Sequence, residues 1–286
     1  MTDRFPRWQI GDARLTKVVE LETISSATWI LPDAKPERLA AIPWLVPHFA
    51  DAQGKAVMSV HALVIEVGDR RILVDTCVGN DKVRPIPGWD RRRGPFLADL
   101  TEAGFAPESI DTVLCTHLHV DHVGWNTRLE KDRWVPTFPN ARYLFAEQEL
   151  VYWREQNEQI YGDVFGDSVR PILDAGLADL VKPDHAVAPE LRLEPTPGHT
   201  PGHVSVRLRS RGEEAVVTGD LMHHPVQCGH PEWASRADFD ARQARRTREE
   251  FLRSSAKSGV RVFGTHFAGP TVGRVVQDGT SFRFAV

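Results

Sequence analysis

The stretch that decides the fold reads TVLCTHLHVDH and occupies residues 112–122. Its first part, Thr112 to Cys115, is apolar and favours a buried β-strand. Four side chains that can bind a metal ion follow, namely His117, His119, Asp121 and His122. Imidazole and carboxylate groups suit zinc, iron, manganese or cobalt, whereas a structural zinc finger normally uses thiolates. The stretch predicts a metal site after a strand; histidines without a ligand role are the alternative.

Three later segments place further candidate ligands at the ends of predicted strands. They are Thr196 to His199, Thr218 to Asp220 and Gly264 to His266. In open α/β sheets, groups on the loops past one edge converge while the sheet holds them rigid. We therefore expect the last residue of each segment to join the ligands of residues 117–122.

Predicted strands and helices alternate along the chain. The strands are expected at residues 15–21, 57–67, 71–75, 112–115, 141–145, 191–194, 204–208, 215–217 and 260–263, and the helices at 96–103, 146–157 and 239–258. This order favours a layered α/β protein in which helices cover two sheets. We expect one domain over residues 1–286. Its N-terminal extension, about residues 1–55, would cover the site, mediate a homodimer or simply pack on the core.

Composition and charge exclude several classes of protein. A formal net charge of -4 gives no general attraction to polyanions, so we expect no nucleic-acid partner. Three cysteines are too few for a disulfide framework, which favours a reducing compartment. The N-terminal segment lacks the apolar run of a secretory signal, and no stretch is apolar enough for a membrane span. We therefore expect a cytoplasmic protein without a membrane partner.

The ligand pattern resembles that of the metallo-β-lactamase superfamily, whose motif His-x-His-x-Asp-His matches residues 117–122. The later ligands His199, Asp220 and His266 follow in the family's order, and Asp75 resembles its early strand-end aspartate. The resemblance implies an α/β fold with four layers, the αββα sandwich of this superfamily. It also implies two divalent metal ions, zinc in first place, with iron, manganese or cobalt as alternatives.

The resemblance also assigns roles to the ligands. The first ion would be bound by His117, His119 and His199, the second by Asp121, His122 and His266, and Asp220 would bridge the two. Asp75 would then orient a ligand loop, with an ordinary turn-capping aspartate as the alternative. His203 lies four residues after His199 in a Pro-Gly turn, and this position favours a structural or ligand-supporting role over metal binding.

The family resemblance implies hydrolysis, with a metal-bridging hydroxide as nucleophile. Secreted β-lactamases of this fold generally lack an aspartate like Asp220, its glutathione thioesterases add a helical domain, and its nucleases add nucleic-acid-gripping domains. What remains resembles the branch of N-acyl-homoserine lactonases and methyl parathion hydrolase. We expect a small-molecule substrate, either a lactone or a carboxylic ester, with an organophosphate triester as the alternative.

Two residues are candidates for catalysis, Asp121 and His223. His223 lies third after Asp220, where some lactonases resembling this chain place a tyrosine that touches the substrate carbonyl. Its imidazole could hydrogen-bond the oxyanion, protonate the leaving oxygen or only line the pocket. Large apolar residues near the ligand segments could form further walls, and we expect two or three of the following to do so: Trp29, Trp89, Trp125, Trp153, Phe165 and Met222.

Two other classes of function, an oxidoreductase and a non-catalytic binding protein, are less favoured by the ligand set. An iron-dependent oxidoreductase of this fold replaces one histidine by a carboxylate, whereas His122 is intact. A non-catalytic binding protein usually loses ligands, whereas all seven are present.

Overall fold

The structure is a computed structural model that describes residues 4–156 and 160–286. Its strands are β1 (Arg7–Ile10), β2 (Ala13–Ser25), β3 (Ala56–Val67), β4 (Arg70–Val74), β5 (Thr112–Leu114), β6 (Thr127–Glu130), β7 (Arg133–Pro136), β8 (Arg142–Ala146), β9 (Ala178–Val181), β10 (Ala186–Ala188), β11 (Leu191–Pro195), β12 (Val204–Ser210), β13 (Glu213–Val217), β14 (Arg261–Phe263), β15 (Val272–Asp278) and β16 (Ser281–Ala285). The α-helices are α1 (Pro36–Ala40), α2 (Phe96–Glu102), α3 (Glu147–Glu155), α4 (Arg170–Asp174), α5 (Val226–Gly229) and α6 (Ala241–Ser258).

The chain forms two compact units. Unit 1 comprises the described part of residues 1–20 together with 60–182, and unit 2 comprises residues 21–59 and 183–286. The expectation of one domain with an N-terminal extension over about residues 1–55 stays a prediction, and residues 1–3 lie outside the described chain. In the described residues, no helix is long and apolar enough to cross a membrane.

The sheet of unit 1 has the strand order β1-β2-β3-β4-β5-β8-β9. Neighbours from β4 to β9 run parallel, with Val74 beside Leu114 and Leu114 beside Leu144. Strand β5, which has a parallel neighbour on each side, is buried along its whole length, as expected for a strand inside a parallel sheet. Because the carboxyl ends of parallel strands lie at one edge, the residues after β4, β5 and β8 meet there.

The sheet of unit 2 has the order β10-β11-β12-β13-β14-β15-β16, and in it β13 and β14 are parallel. Its apolar core includes Phe49, Phe267 and Phe284, whose rings contact one another edge to face with centroids 5.0–6.2 Å apart. Loops after β11, β13 and β14 carry the later candidate ligands.

The longest helix, α6, is defined by signals at both ends. Asp240 accepts hydrogen bonds at its Oδ1 from the backbone N–H groups of Arg242 and Gln243, both at 3.0 Å, which caps the first turn. Gly259 ends the helix in the left-handed region, at φ 66°. The prediction of a helix over residues 239–258 is therefore correct except for its first two residues.

Other boundaries differ more from the predictions. Helix α3 covers Glu147–Glu155, whereas residues 146–157 were expected, and Asn157 lies outside the described chain. Strand β4 ends at Val74, because Asp75 adopts φ 57° and leaves the sheet. Strand β2 runs on to Ser25, and the hairpins β6–β7 and β15–β16 were not predicted.

Candidate metal centre

The loop of unit 1 that carries the motif begins with a contact between two neighbouring strand ends. Asp75 follows β4, and Thr116 follows β5. The Asp75 carboxylate accepts hydrogen bonds from the Thr116 backbone N–H at 2.8 Å and from its hydroxyl at 2.9 Å. These bonds hold the start of the loop on the carboxylate.

Asp75 also orients the last histidine of the motif. His122 Nδ1 lies 2.9 Å from Asp75 Oδ2, and both side chains are buried. Because an ionised carboxylate only accepts, Nδ1 donates and Nε2 keeps its lone pair for a metal ion. The predicted orienting role of Asp75 on this loop is confirmed.

The first two histidines of the motif face each other. The Thr116 hydroxyl gives its hydrogen to Asp75, so it accepts from His117 Nδ1 at 3.1 Å. His117 Nε2 is then left as a lone pair, 2.9 Å from His119 Nδ1. Asp121 Oδ1 lies 3.8 Å from His122 Nε2. Unit 1 therefore brings together its four candidate ligands.

Residues outside the motif hold the same loop from the side. The Glu149 carboxylate accepts from the Leu118 backbone N–H at 3.1 Å and from Trp153 Nε1 at 2.7 Å. The Trp153 ring packs edge-on against His119, with centroids 5.2 Å apart.

A Cβ on Gly124 would lie 1.9 Å from the Val78 carbonyl oxygen, so only glycine fits there.

Three imidazoles of unit 2 converge on one buried carboxylate. Asp220 Oδ2 lies 3.4 Å from His199 Nε2 and 3.2 Å from His223 Nε2. Asp220 Oδ1 lies 3.1 Å from His266 Nε2. The side chains of all four residues are at most 6% exposed. Unit 2 therefore brings together the three predicted ligands and the candidate catalytic His223.

Oxygen acceptors hold the far ring nitrogen of two of these histidines. His199 Nδ1 lies 3.0 Å from Asp238 Oδ1, and His266 Nδ1 lies 3.0 Å from the Ser59 carbonyl oxygen. Both acceptors require Nδ1 to carry the hydrogen, which leaves each Nε2 as a lone pair directed at Asp220. Burial raises the pKa of the Asp238 carboxyl, while the charges of His223 and Arg248 oppose that rise.

His203 supports the carboxylate from behind. Its Nε2 accepts from the Asp220 backbone N–H at 2.8 Å, so its Nδ1 carries the hydrogen and contacts Thr196 Oγ1 at 2.8 Å. These contacts agree with the prediction of a structural or ligand-supporting role for His203. The loop before His199 needs glycine, because Gly198 has φ 131° and a Cβ there would lie 2.3 Å from Ala244 N.

The donor sets of both units suit a divalent cation. In unit 2, lone pairs of His199 and His266 face carboxylate oxygens of Asp220 at 3.4 and 3.1 Å. Two acceptors this close repel each other unless a proton or a cation lies between them. Imidazole nitrogen and carboxylate oxygen are the ligands that zinc, iron, manganese and cobalt accept. The candidate ligands of unit 1 and those of unit 2 are therefore both of the types that bind a metal ion.

Three of the six residues proposed as pocket walls lie in two different settings. Trp125 is buried, stacks on Phe96 with centroids 5.8 Å apart and donates to Glu20 at 2.8 Å. Met222 is also fully buried, in the core of unit 2. Trp153, in contrast, contacts the candidate ligand His119. Tyr161, whose ring centroid is 6.0 Å from that of His119, and Asp238 were not predicted, because neither residue belongs to a motif.

Comparison with known proteins identifies the family. The family model described as the metallo-beta-lactamase superfamily matches residues 56–274, which is more than half of the chain. The chain belongs to this superfamily. The resemblance predicted from residues 117–122 and the three later ligand segments is thus confirmed.

Curated relatives of this metallo-beta-lactamase chain include lactonases. An N-acyl homoserine lactonase of Bacillus cereus is 28% identical over 174 residues, which cover 56% of the chain and 62% of the lactonase. A second, from a Bacillus species, is 29% identical over 172 residues with the same coverage. The chain thus spans less than two thirds of the length of these relatives.

Solved structures agree in fold. The dizinc quorum-quenching lactonase AidC, in complex with a product, has a TM-score of 0.80 at 23% identity, and the match covers 98% of the chain and 96% of AidC. The hydrolase AbOPH has a TM-score of 0.80 at 24% identity, with coverage of 100% and 98%. The predicted fold class, the α/β sandwich of the metallo-β-lactamase type, is confirmed.

Proposed function

We propose that the chain is a binuclear metal-dependent hydrolase of small molecules that opens a lactone or a carboxylic ester. Seven residues would hold the ions. His117, His119 and His199 would bind the first, Asp121, His122 and His266 the second, and Asp220 would bridge them. Zinc is the proposed metal.

One observation carries the proposal. Four candidate histidines have Nδ1 beside an oxygen acceptor. All four are held in the same tautomer, in which Nδ1–H is donated and the lone pair lies on Nε2. His122 uses Asp75, His117 uses Thr116, His199 uses Asp238 and His266 uses Ser59. Such partners are what metal-binding histidines need, because they set the ring orientation and increase the basicity of the ligand. The structural histidine His203 uses its Nε2 lone pair on a backbone N–H, whereas Nε2 of each of these four histidines faces another candidate ligand.

The chemistry of the reaction would be divided between ions and protein. When bound, two divalent cations supply an acidified water and polarise the substrate's carbonyl oxygen. The chain's own contribution is to orient the ligands through Asp75 and Asp238 and to exclude water by burial. The Asp121 side chain is 14% exposed, whereas that of His122 is fully buried, so Asp121 could also contact the reacting water.

His223 is the proposed acid or oxyanion donor. Its Nε2 lies 3.2 Å from Asp220 Oδ2, and its backbone N–H donates to Gln227 Oε1 at 2.7 Å, which anchors the residue. An N–H on this ring could donate to a substrate oxygen beside the carboxylate and pass a proton to the leaving alkoxide.

The names of the relatives support a substrate class. The Bacillus cereus relative is named an N-acyl homoserine lactonase, and AidC is described as a dizinc lactonase in complex with an N-acyl homoserine product. These names support a lactone substrate and zinc for this chain, and the lactonase activity of the whole protein remains our proposal.

Metal analysis and a substrate panel test the proposal. Protein purified without added metal should contain close to two divalent ions per chain, and a chelator should abolish hydrolysis of lactones or aryl esters until zinc is restored. Turnover of phosphotriesters alone would transfer the proposal to the organophosphate class. Stoichiometric iron without any hydrolysis would overturn it in favour of redox chemistry.

A further inference from the structure

We propose that Asp238 and Arg248 are positioning residues that determine how tightly His199 binds its metal ion, an inference that rests on the proposed function. Neither residue belongs to the ligand motif. Asp238 lies 39 residues after His199, and Arg248 lies inside α6.

Asp238 is built into the protein as an acceptor. Its side chain is 0% exposed, with Oδ1 3.0 Å from His199 Nδ1 and Oδ2 accepting from the Ser235 backbone N–H at 2.9 Å. A buried carboxylate is costly unless it is hydrogen-bonded and its charge is balanced. Its position therefore requires a compensating cation.

Arg248 provides that cation. Its side chain is 1% exposed, and its Nη2 lies 3.7 Å from Asp238 Oδ2. The rest of the guanidinium is directed by backbone oxygens: Nε donates to Leu221 at 2.9 Å, and Nη1 donates to Pro231 at 2.6 Å. Arg248 thus binds the residue directly after Asp220 while it balances the carboxylate that holds His199.

The backbone around Asp238 fixes the same geometry. Phe239 N–H donates to the His199 carbonyl and Asp240 N–H to the Gly198 carbonyl, both at 2.9 Å. Because these bonds tie the His199 loop to the start of α6, Asp238 cannot move independently of the ring that it contacts.

The consequence concerns the ligand atom. With Nδ1–H held by the Asp238 carboxylate, a neutral His199 ring keeps its lone pair on Nε2, where it is more basic than in a free imidazole. Without Asp238, the ring could rotate or adopt the other tautomer, and fewer molecules would present Nε2.

The test is zinc affinity, measured by competition with a chromogenic chelator on the full chain. Asp238→Asn should weaken one of the two zinc sites by about 10- to 100-fold. Asp240→Asn is the matched control: it removes the same charge two residues away and keeps an acceptable helix cap, so it should change affinity by no more than about twofold.

Arg248 is tested by a pair of variants. Arg248→Met should weaken the same zinc site by about tenfold, and Arg248→Lys, which keeps a cation, should recover most of that loss. Nitrogen NMR of the histidine rings in the metal-free protein should show one His199 tautomer in the wild type and a mixture in Asp238→Asn.

The outcomes separate the two proposals. If the wild type binds two zinc ions and Asp238→Asn binds both equally well, the positioning role is wrong and the proposed function stands. If Asp238→Asn only lowers the Tm of the metal-free protein, the residue is structural and the inference is also overturned. A wild type that binds no zinc would overturn the proposed function together with this inference.

Discussion

In unit 1 the candidate ligands come from one loop of six residues, whereas in unit 2 they come from three loops. The unit 1 loop is oriented by Asp75, at the end of the adjacent strand. In unit 2, His199 depends on Asp238 and His266 on the Ser59 carbonyl, 207 residues away in the chain. The difference teaches that ligands close together in the sequence can share the residues that orient them, whereas dispersed ligands need the packing of a whole unit.

The largest expected effect is loss of activity at the point where unit 2's ligands converge. Asp220→Asn keeps the shape but removes the charge that three imidazoles share, so kcat/KM should fall more than about 1000-fold, or about 4 kcal/mol. In unit 1, the Asp121 carboxylate lies 3.8 Å from His122 Nε2 and is 14% exposed, so Asp121→Asn should lose about 100-fold, or about 2.7 kcal/mol. Exposed Asp278→Asn is the control. Equal losses at Asp220 and Asp121 would contradict the comparison.

The next effect concerns the packing behind His266. Phe267 is fully buried against Phe49 and Phe284, so Phe267→Ala should lower the free energy of unfolding by about 3–5 kcal/mol. Phe267→Leu should cost less than about 1.5 kcal/mol. Urea unfolding measures both. A small loss for alanine would show that the aromatic cluster does not support this ligand loop.

A smaller effect is expected from the orienting carboxylate of unit 1. Asp75→Asn weakens the hydrogen bonds to His122 and Thr116, so zinc affinity should fall by about 10- to 100-fold. Chelator competition measures this. Because the loop is also held by Glu149, the metal-free protein should keep its fold by circular dichroism. An unchanged affinity would mean that the local sequence alone positions the loop.

The effect that is smallest near neutral pH is a slope of stability with pH. His224 is fully buried and contacts the Phe49 carbonyl at 2.7 Å, and burial lowers its pKa to about 4. In the unfolded chain, the His224 imidazole is protonated near pH 6.5. The free energy of unfolding should therefore fall as pH decreases from about 6.5 towards 4, by up to about 1.4 kcal/mol per pH unit. His224→Gln keeps a donor to the carbonyl and should flatten this slope. Parallel curves for both proteins would exclude His224 as the cause.

Predictions from the sequence succeeded where a signal was local. The motif of residues 117–122 follows an apolar strand, and Gly259 marks the end of α6, so both were recognised, whereas the Asp240 cap was not. Helix α6 was predicted to begin two residues early, at Phe239. The backbone N–H of Phe239 instead donates to the His199 carbonyl, outside the helix. Propensity does not register such tertiary contacts.

Predictions failed or were missing where a residue acts only through contacts distant in the chain. In the sequence, Asp238 is an ordinary charged residue before a helix and Arg248 is one within it. Their burial near His199 depends on the tertiary structure. Trp125 resembled a pocket wall, but it stacks on Phe96 and binds Glu20, 105 positions earlier in the chain.

The sequence by itself determined which ligand types are available and the order in which they follow the strands, because residue chemistry and strand patterns are local properties. Tertiary structure alone decided which carboxylate or carbonyl holds each imidazole, and so which ring nitrogen is left as a lone pair. That choice depends on hydrogen-bond partners such as Ser59 and Asp238, which reach the histidines only when the strands and α6 have packed.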